Sequence, residues 1–210
     1  MALPKHGYAK TLAAQPVGSG AELVSVEADL TRGLHNFSVV GLADKAVDEA
    51  RDRVSAAIRH SGYKSPKQQN KRIVISLSPA DLKKEGSHYD LALALAYLIA
   101  AGDITQPLES TLLVGELALD GTLRAVKGVL PQVLAAKRKK IKTIFVPQGN
   151  AREALLADGV AIYAPESLTD LLQHLKGEKP LPRLVRDRKI TAPPPALDLA
   201  DVKGQESAKR

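Results

Sequence analysis

Ser87, His88 and Asp90 supply the three residue types of a hydrolase triad in one short stretch of chain. A working triad assembles its nucleophile, base and orienting acid from separate segments. Side chains this close in sequence would have to converge from a single turn of backbone. The reading preferred from sequence is therefore structural: a helix start at which Ser87 or Asp90 meets free backbone N–H groups. Glu116 and Asp120 are a candidate carboxylate pair, but they flank a predicted hairpin, and nothing in the sequence gives them a shared cleft for acid–base work. The histidines His6, His35, His60, His88 and His174 are scattered and no H-E-x-x-H helix occurs, so no metal is assigned. No G-x-x-x-x-G-K-S/T loop is present to cradle phosphates, and Gly18-Ser19-Gly20 lacks the third glycine of a dinucleotide site and reads as a turn. No cofactor is expected in this chain.

Two runs concentrate positive charge without acid. Arg59, Lys64, Lys67, Lys71 and Arg72 surround the polar loop Gln68-Gln69-Asn70, and Lys137, Arg138, Lys139, Lys140 and Lys142 form the second run. Cations at a helix C-terminus are explained by the helix dipole, which accounts for the second run. The first is the candidate for contact with DNA phosphates. Overall, 30 Lys and Arg against 23 Asp and Glu give a net charge of +7, which favours an anionic partner, a mildly basic solvated surface being the alternative. Five Tyr, two Phe and no Trp are too few for a base-stacking platform, so any such contact would be electrostatic and salt-sensitive.

The elements that must position these residues are legible from periodicity. Glu22 to Leu30 alternates as a half-buried strand, and Asn36 to Leu42 reads as a second. Val47, Ala50, Val54, Ala57 and Ile58 then recur at helical spacing behind Asp44 as N-cap, with Gly62 closing the helix. Arg72 to Leu77 is an apolar strand and Asp90 to Ala101 a helix apolar nearly all round, so both should be central. Thr111 to Leu123 reads as a hairpin turning at Asp120-Gly121. A helix through Ala136 follows, then the strand Thr143 to Pro147, a helix from Ala151, the strand Val160 to Tyr163 and a helix from Ser167 to Leu175. This order predicts an α/β (α+β) domain over residues 1–176. Residues 177–198 are rich in Pro and Arg and read as an extended linker, and a new element starts at 199–210. With 44% hydrophobic residues the chain can bury a core, and it has no cysteine for disulfides or sulfur-based metal sites. The first residues lack the pattern of a secretory signal, and the longest apolar run, LALALAYLIAA, is too short to span a bilayer; no membrane contact and a cytoplasmic location are expected.

Four phrases occur together and in order: ADLTRGLHNFSVVGLADKAVDEARDRVSAAIRHSGY, RIVISLSPADLKKEGSHYDLALALA, VGELALDGTLRAVKGVLPQVLAAK and ADVKGQESAKR. Together they closely resemble the ComM/YifB family of magnesium-chelatase-like AAA+ ATPases. The resemblance implies that the first part is a Lon-protease-like domain, a sandwich of sheet and helices related to the second domain of a small-subunit ribosomal protein and to GHMP kinases. Lon proteases use a Ser–Lys dyad in which a lysine activates the serine. Their K-D-G-P-S-A-G phrase matches Lys84 to Asp90 and puts His88 at the nucleophile position. The run from Gly115-Glu116-Leu117 through Lys127-Gly128-Val129 puts Leu130 at the lysine position. Both dyad members are thus replaced. A one-residue slip would restore Ser87, and Lys127, one helical turn from Leu130, is the nearby lysine.

What the resemblance implies is a non-catalytic accessory domain, expected to stop just inside an AAA+ module that D-V-K-G-Q-E-x-A-K-R opens. ATP and Mg2+ are expected only for that module. The parent protein would be a hexamer acting on single-stranded or branched DNA in branch migration, recombination and natural transformation. Two other readings stay open: a Lon-like serine peptidase with a displaced dyad at Ser87 and Lys127, and a pure oligomerisation module. Metal insertion into a porphyrin finds no support in these residues.

Overall fold

The computed structural model describes residues 7–186 and 203–204. A seven-stranded mixed sheet runs in the order β3-β4-β2-β1-β5-β8-β9. Its long strands are β1 (Tyr8–Val17), β2 (Gly20–Arg32) and β4 (Lys71–Ser78), all antiparallel to their neighbours within this trio. β3 (Asn36–Val40) lies parallel to β4, and β5 (Thr111–Leu113), β8 (Thr143–Phe145) and β9 (Ala161–Tyr163) extend the sheet in parallel from β1. The expected α/β class is what the chain adopts. Val24, Val26, Ala28 and Leu30 bury the inner face of β2 as their alternation requires, and the strand runs two residues further at each end than the sequence pattern suggests.

Two cores lie on opposite faces of the sheet. Ala13 and Val24 face helices α1 (Lys45–His60) and α2 (Asp90–Ala101), whereas the adjacent Ala14 and Leu23 face α3 (Val129–Arg138). Successive side chains of a strand point to opposite faces, so a strand covered on both sides loses its polar alternation. Asp44 caps α1 by accepting the Val47 N–H at 2.9 Å, and Gly62, at φ +86°, follows its end. Helix α2 is buried from Asp90 through Ala100, as its apolar surface all round demands. The remaining helices are the single turn α4 (Ala151–Ala154) and α5 (Leu168–Leu175), whose cap Ser167 accepts the Asp170 N–H.

Three expectations need correction. The first strand of the domain, β1, is missing from the sequence reading; it pairs with β2 through the two-residue turn Gly18-Ser19. Thr111 to Leu123 is not one hairpin. After β5 the Val114 N–H still bonds to Phe145 O of β8, and the Gly115 N–H then turns to His88 O, where the chain leaves the main sheet. The true hairpin pairs β6 (Glu116–Leu117) with β7 (Leu123–Arg124), and of its turn residues Gly121 alone takes positive φ, so the tight primed turn is absent. Finally, Asp90 does not cap its helix. The N-cap is Tyr89, and the Asp90 carboxylate, fully buried, accepts Arg53 Nε at 2.7 Å, Arg53 Nη2 at 3.0 Å and the Leu117 N–H at 3.1 Å.

In the stretch expected to be linker, Leu181 packs on the first core and Leu184 on the second. The Leu181 N–H donates to His174 Nδ1 at 3.0 Å and the Leu184 N–H to Ile162 O at 2.9 Å, so this strap covers the β9 edge. The expected element at 199–210 lies outside the described residues except for Lys203 and Gly204.

Removing one member of a buried, bidentate pair leaves the other charge without compensation. Arg53→Ala is expected to lower the unfolding free energy by about 3–5 kcal/mol, read from urea denaturation.

Candidate functional site

Two cavities are lined by some of the residues singled out by sequence. The first, about 520 Å³, lies between the end of β1, the loop before α2 and the β6–β7 hairpin; Gln15, Ser87, His88, Glu116 and Lys127 line it. Its loop is fixed from several sides. The Lys84 N–H donates to Leu42 O at 3.1 Å, and Lys84 O accepts the Asp44 N–H at 3.0 Å. The Lys84 side chain is fully buried, its ammonium donates to Pro79 O, and burial pushes its pKa down. Asp44, whose other oxygen caps α1, accepts the Gly86 N–H at 3.2 Å. Gln15 Oε1 accepts both the Glu85 N–H at 3.0 Å and the Tyr89 hydroxyl at 2.6 Å.

The groups that could react are poorly matched to nucleophilic catalysis. The Ser87 hydroxyl donates to Glu116, whose other oxygen lies 3.6 Å from Arg124 Nη1. A carboxylate is a much weaker base than a deprotonated lysine, so this contact orients the serine without strongly activating it. His88 is buried against the Tyr89 ring at 4.2 Å, and its Nε2 has no partner among the described residues. Burial pushes its pKa down to about 4, which keeps the ring neutral at neutral pH. Leu130 sits in the first turn of α3, packs on the second core, and its N–H donates to Glu153 at 2.8 Å. The position that resemblance gives to the lysine therefore holds an aliphatic side chain directed to packing. Lys127 is exposed and shares the cavity with Ser87, so the displaced pair is at least brought to one cleft.

A second cavity, about 640 Å³, is lined by Lys64, Gln68, Gln69, Asn70, Lys71 and Asp103. The structure divides the predicted basic cluster. Lys64 and Lys71 converge on this cavity, Lys67 is drawn to Asp52 at 2.6 Å, and Arg59 and Arg72 are exposed outside the lining. The loop is anchored, since Tyr97 donates its hydroxyl to Lys64 O at 3.0 Å and accepts Gln69 Nε2 at 2.7 Å. Sequence reasoning missed Gln15, the second role of Asp44, and Asp103; each is joined to its site by chain folding and carries no local signal. Among the described residues no group of three or more His, Asp or Glu is placed to hold a metal ion, and no helix is long and apolar enough to cross a membrane.

The fold defines an α/β domain of Lon-protease-like kind. Residues 26–150 match the family described as subunit ChlI of Mg-chelatase, and the chain belongs to that family. It is 45% identical over 193 residues to an uncharacterised protein of Mycobacterium tuberculosis, covering 91% of this chain. It is 40% identical over 199 residues to competence protein ComM of Haemophilus influenzae and 40% identical over 197 residues to the uncharacterised protein YifB of Escherichia coli, each covering 92% of this chain. The chain spans 38% of the length of each of these relatives. A more distant likeness, 26% identity over 176 residues, joins it to 22% of the length of a Lon protease of Acinetobacter baumannii.

The buried ring of His88 gives a pH signature. Its folded pKa, about 4, lies below the ordinary 6.5, so between these values the unfolded chain binds the proton and stability is lost as pH falls. Asp90, pushed up by burial to about 6 against the pull of Arg53, works in the opposite sense between its ordinary 3.8 and 6. Comparing urea unfolding of the protein and of His88→Gln isolates the first effect: the variant is expected to lose about 3 kcal/mol less stability between pH 6.5 and pH 4.

Proposed function

We propose that this chain is a non-catalytic accessory domain of a ComM-type AAA+ ATPase, and that it helps the assembly engage DNA. The observation that carries this reading is the anchored basic loop from Lys64 to Lys71, which presents two lysines and three amide side chains at one cavity. Lysines held on a fixed loop neutralise phosphates without first paying the entropy of ordering it. A competence role is what the name of the Haemophilus relative states, and it is consistent with a DNA ligand. In this reading ATP and Mg2+ belong to an ATPase module outside this chain, the working assembly is a cytoplasmic hexamer, and the reactions are branch migration and recombination. The aliphatic Leu130 supports the absence of peptidase chemistry.

A second reading is a Lon-like peptidase with Ser87 as nucleophile and Lys127 as base, favoured by their place in one cavity. The contact of Ser87 with Glu116 and the exposure of Lys127, which leaves its ammonium solvated, weigh against it.

Fluorescence anisotropy with labelled single-stranded and branched DNA is expected to show binding at low salt, with log K falling linearly against log salt concentration. The variant Lys64→Glu/Lys67→Glu/Lys71→Glu is expected to lose it. Absence of binding by the unaltered protein at low salt contradicts the DNA role.

A further inference from the structure

The basic run at the end of α3 carries more charge than the helix dipole accounts for. Lys137 and Arg138 lie in the last turn, where a cation meets the negative end of the helix. Lys139, Lys140 and Lys142 lie past that turn, and the dipole interaction fades within it. Nor do the terminal carbonyls need these side chains. Ala135 O and Ala136 O accept the Lys139 N–H at 3.2 and 3.0 Å, Lys137 O accepts the Lys140 N–H at 2.9 Å, and Ala136 O accepts the Ile141 N–H at 3.0 Å. This closing turn puts Lys140 at φ +63°, a left-handed position that favours glycine. The cations of the run are all exposed, and none joins an ion pair among the described residues. Glu22 shares a groove of about 310 Å³ with Arg138 and Lys139 and still forms no ion pair with either. The strap along β9 adds further charge. Arg183 Nη2 donates to Val160 O at 3.5 Å, and a Cβ placed on the adjacent Gly159 would lie 3.8 Å from Lys137 Cε, so Lys137 and Arg183 flank one turn; Arg186 follows, also exposed.

We propose that the end of α3 and the strap form a second contact surface for the phosphate backbone of DNA, on the opposite face of the sheet from the Lys64–Lys71 loop. The loop is anchored by Tyr97 of the first core, whereas α3 packs on the second. Like charges gathered on fixed backbone repel one another, and neutralising phosphates relieves that repulsion while releasing the counterions condensed on DNA. A membrane surface would call for apolar side chains among the cations, but Ile141, the one apolar residue of 137–142, is half-buried against the second core. A lysine held in a left-handed conformation lowers stability, a cost that falls where a side chain serves a ligand. This inference takes its ligand from the DNA reading above but not its site.

The test measures anisotropy of labelled DNA over a salt series, with the Lys64–Lys71 loop unaltered throughout. Lys137→Gln/Lys139→Gln/Lys142→Gln is expected to weaken low-salt binding about tenfold or more and to make the slope of log K against log salt shallower by about three. Lys140→Gly provides a control that misfolding cannot mimic: it is expected to raise the urea midpoint while making the slope shallower by about one. An unchanged slope in both variants overturns the second surface, returns the run to the helix dipole and leaves the DNA reading standing. Sedimentation of the protein with phosphatidylserine vesicles but no binding to DNA replaces both with a membrane role, and failure of the unaltered protein to bind either removes both.

Discussion

The buried pair of Arg53 and Asp90 is the constraint on which the cleft depends. Asp90 opens α2 at the centre of the molecule with no exposure, and its carboxylate spans three elements: α1 through Arg53, α2 through its own backbone, and β6 through the Leu117 N–H. Arg53 also donates to Ala46 O at 3.0 Å, which closes the first turn of α1 onto the same point. Two charges withdrawn from water are tolerated only when their hydrogen-bonding capacity is met, and here it is met by groups that fix the mutual placement of two helices and a hairpin. The loop carrying Ser87 and His88 hangs immediately before this junction, and Glu116 immediately before Leu117 at the far side of it.

That placement accounts for a cleft in which Ser87, His88, Glu116 and Lys127 meet. Each backbone donor from Lys84 to Gly86 is satisfied by a residue of another element: Leu42, Gln15 and Asp44. A loop so thoroughly bonded is rigid, which a nucleophile would need. Reactivity requires in addition a base of suitable strength near the serine; Ser87 meets the Glu116 carboxylate there, and Leu130, in the first turn of α3, packs on the second core. His88, desolvated and neutral, fills the position before Tyr89 as a packed ring. The charge left for ligand binding lies at the other cavity, where Lys64 and Lys71 stand on a loop braced by Tyr97.

Elements with one buried face were legible in the sequence because burial imposes a period. Val24, Val26, Ala28 and Leu30 disclose β2, and Val47 through Ile58 disclose α1. β1 escaped because it is central and covered on both faces: Ala13 packs against one core and Ala14 against the other, so small residues on both sides erase the alternation. The extent of the hairpin was not legible because β5 pairs with β8 and the Gly115 N–H turns to His88 O, partners that are distant in sequence. At the cleft, resemblance alone assigns His88 and Leu130 to the dyad positions. The bonding of Ser87 to Glu116, the burial of Lys84 and the approach of Asp103 to the basic loop could not, since each joins residues from separate elements. Formal charge likewise concealed that Lys67 is spent on Asp52.

The proposed absence of peptidase chemistry is most directly tested at Ser87 itself. Treating the protein with a fluorophosphonate probe and measuring intact mass reports any serine activated for attack on phosphorus. The unaltered protein is predicted to take up no adduct, giving the same mass profile as Ser87→Ala. An adduct that maps to Ser87 and disappears in Ser87→Ala would contradict that prediction and establish a working nucleophile.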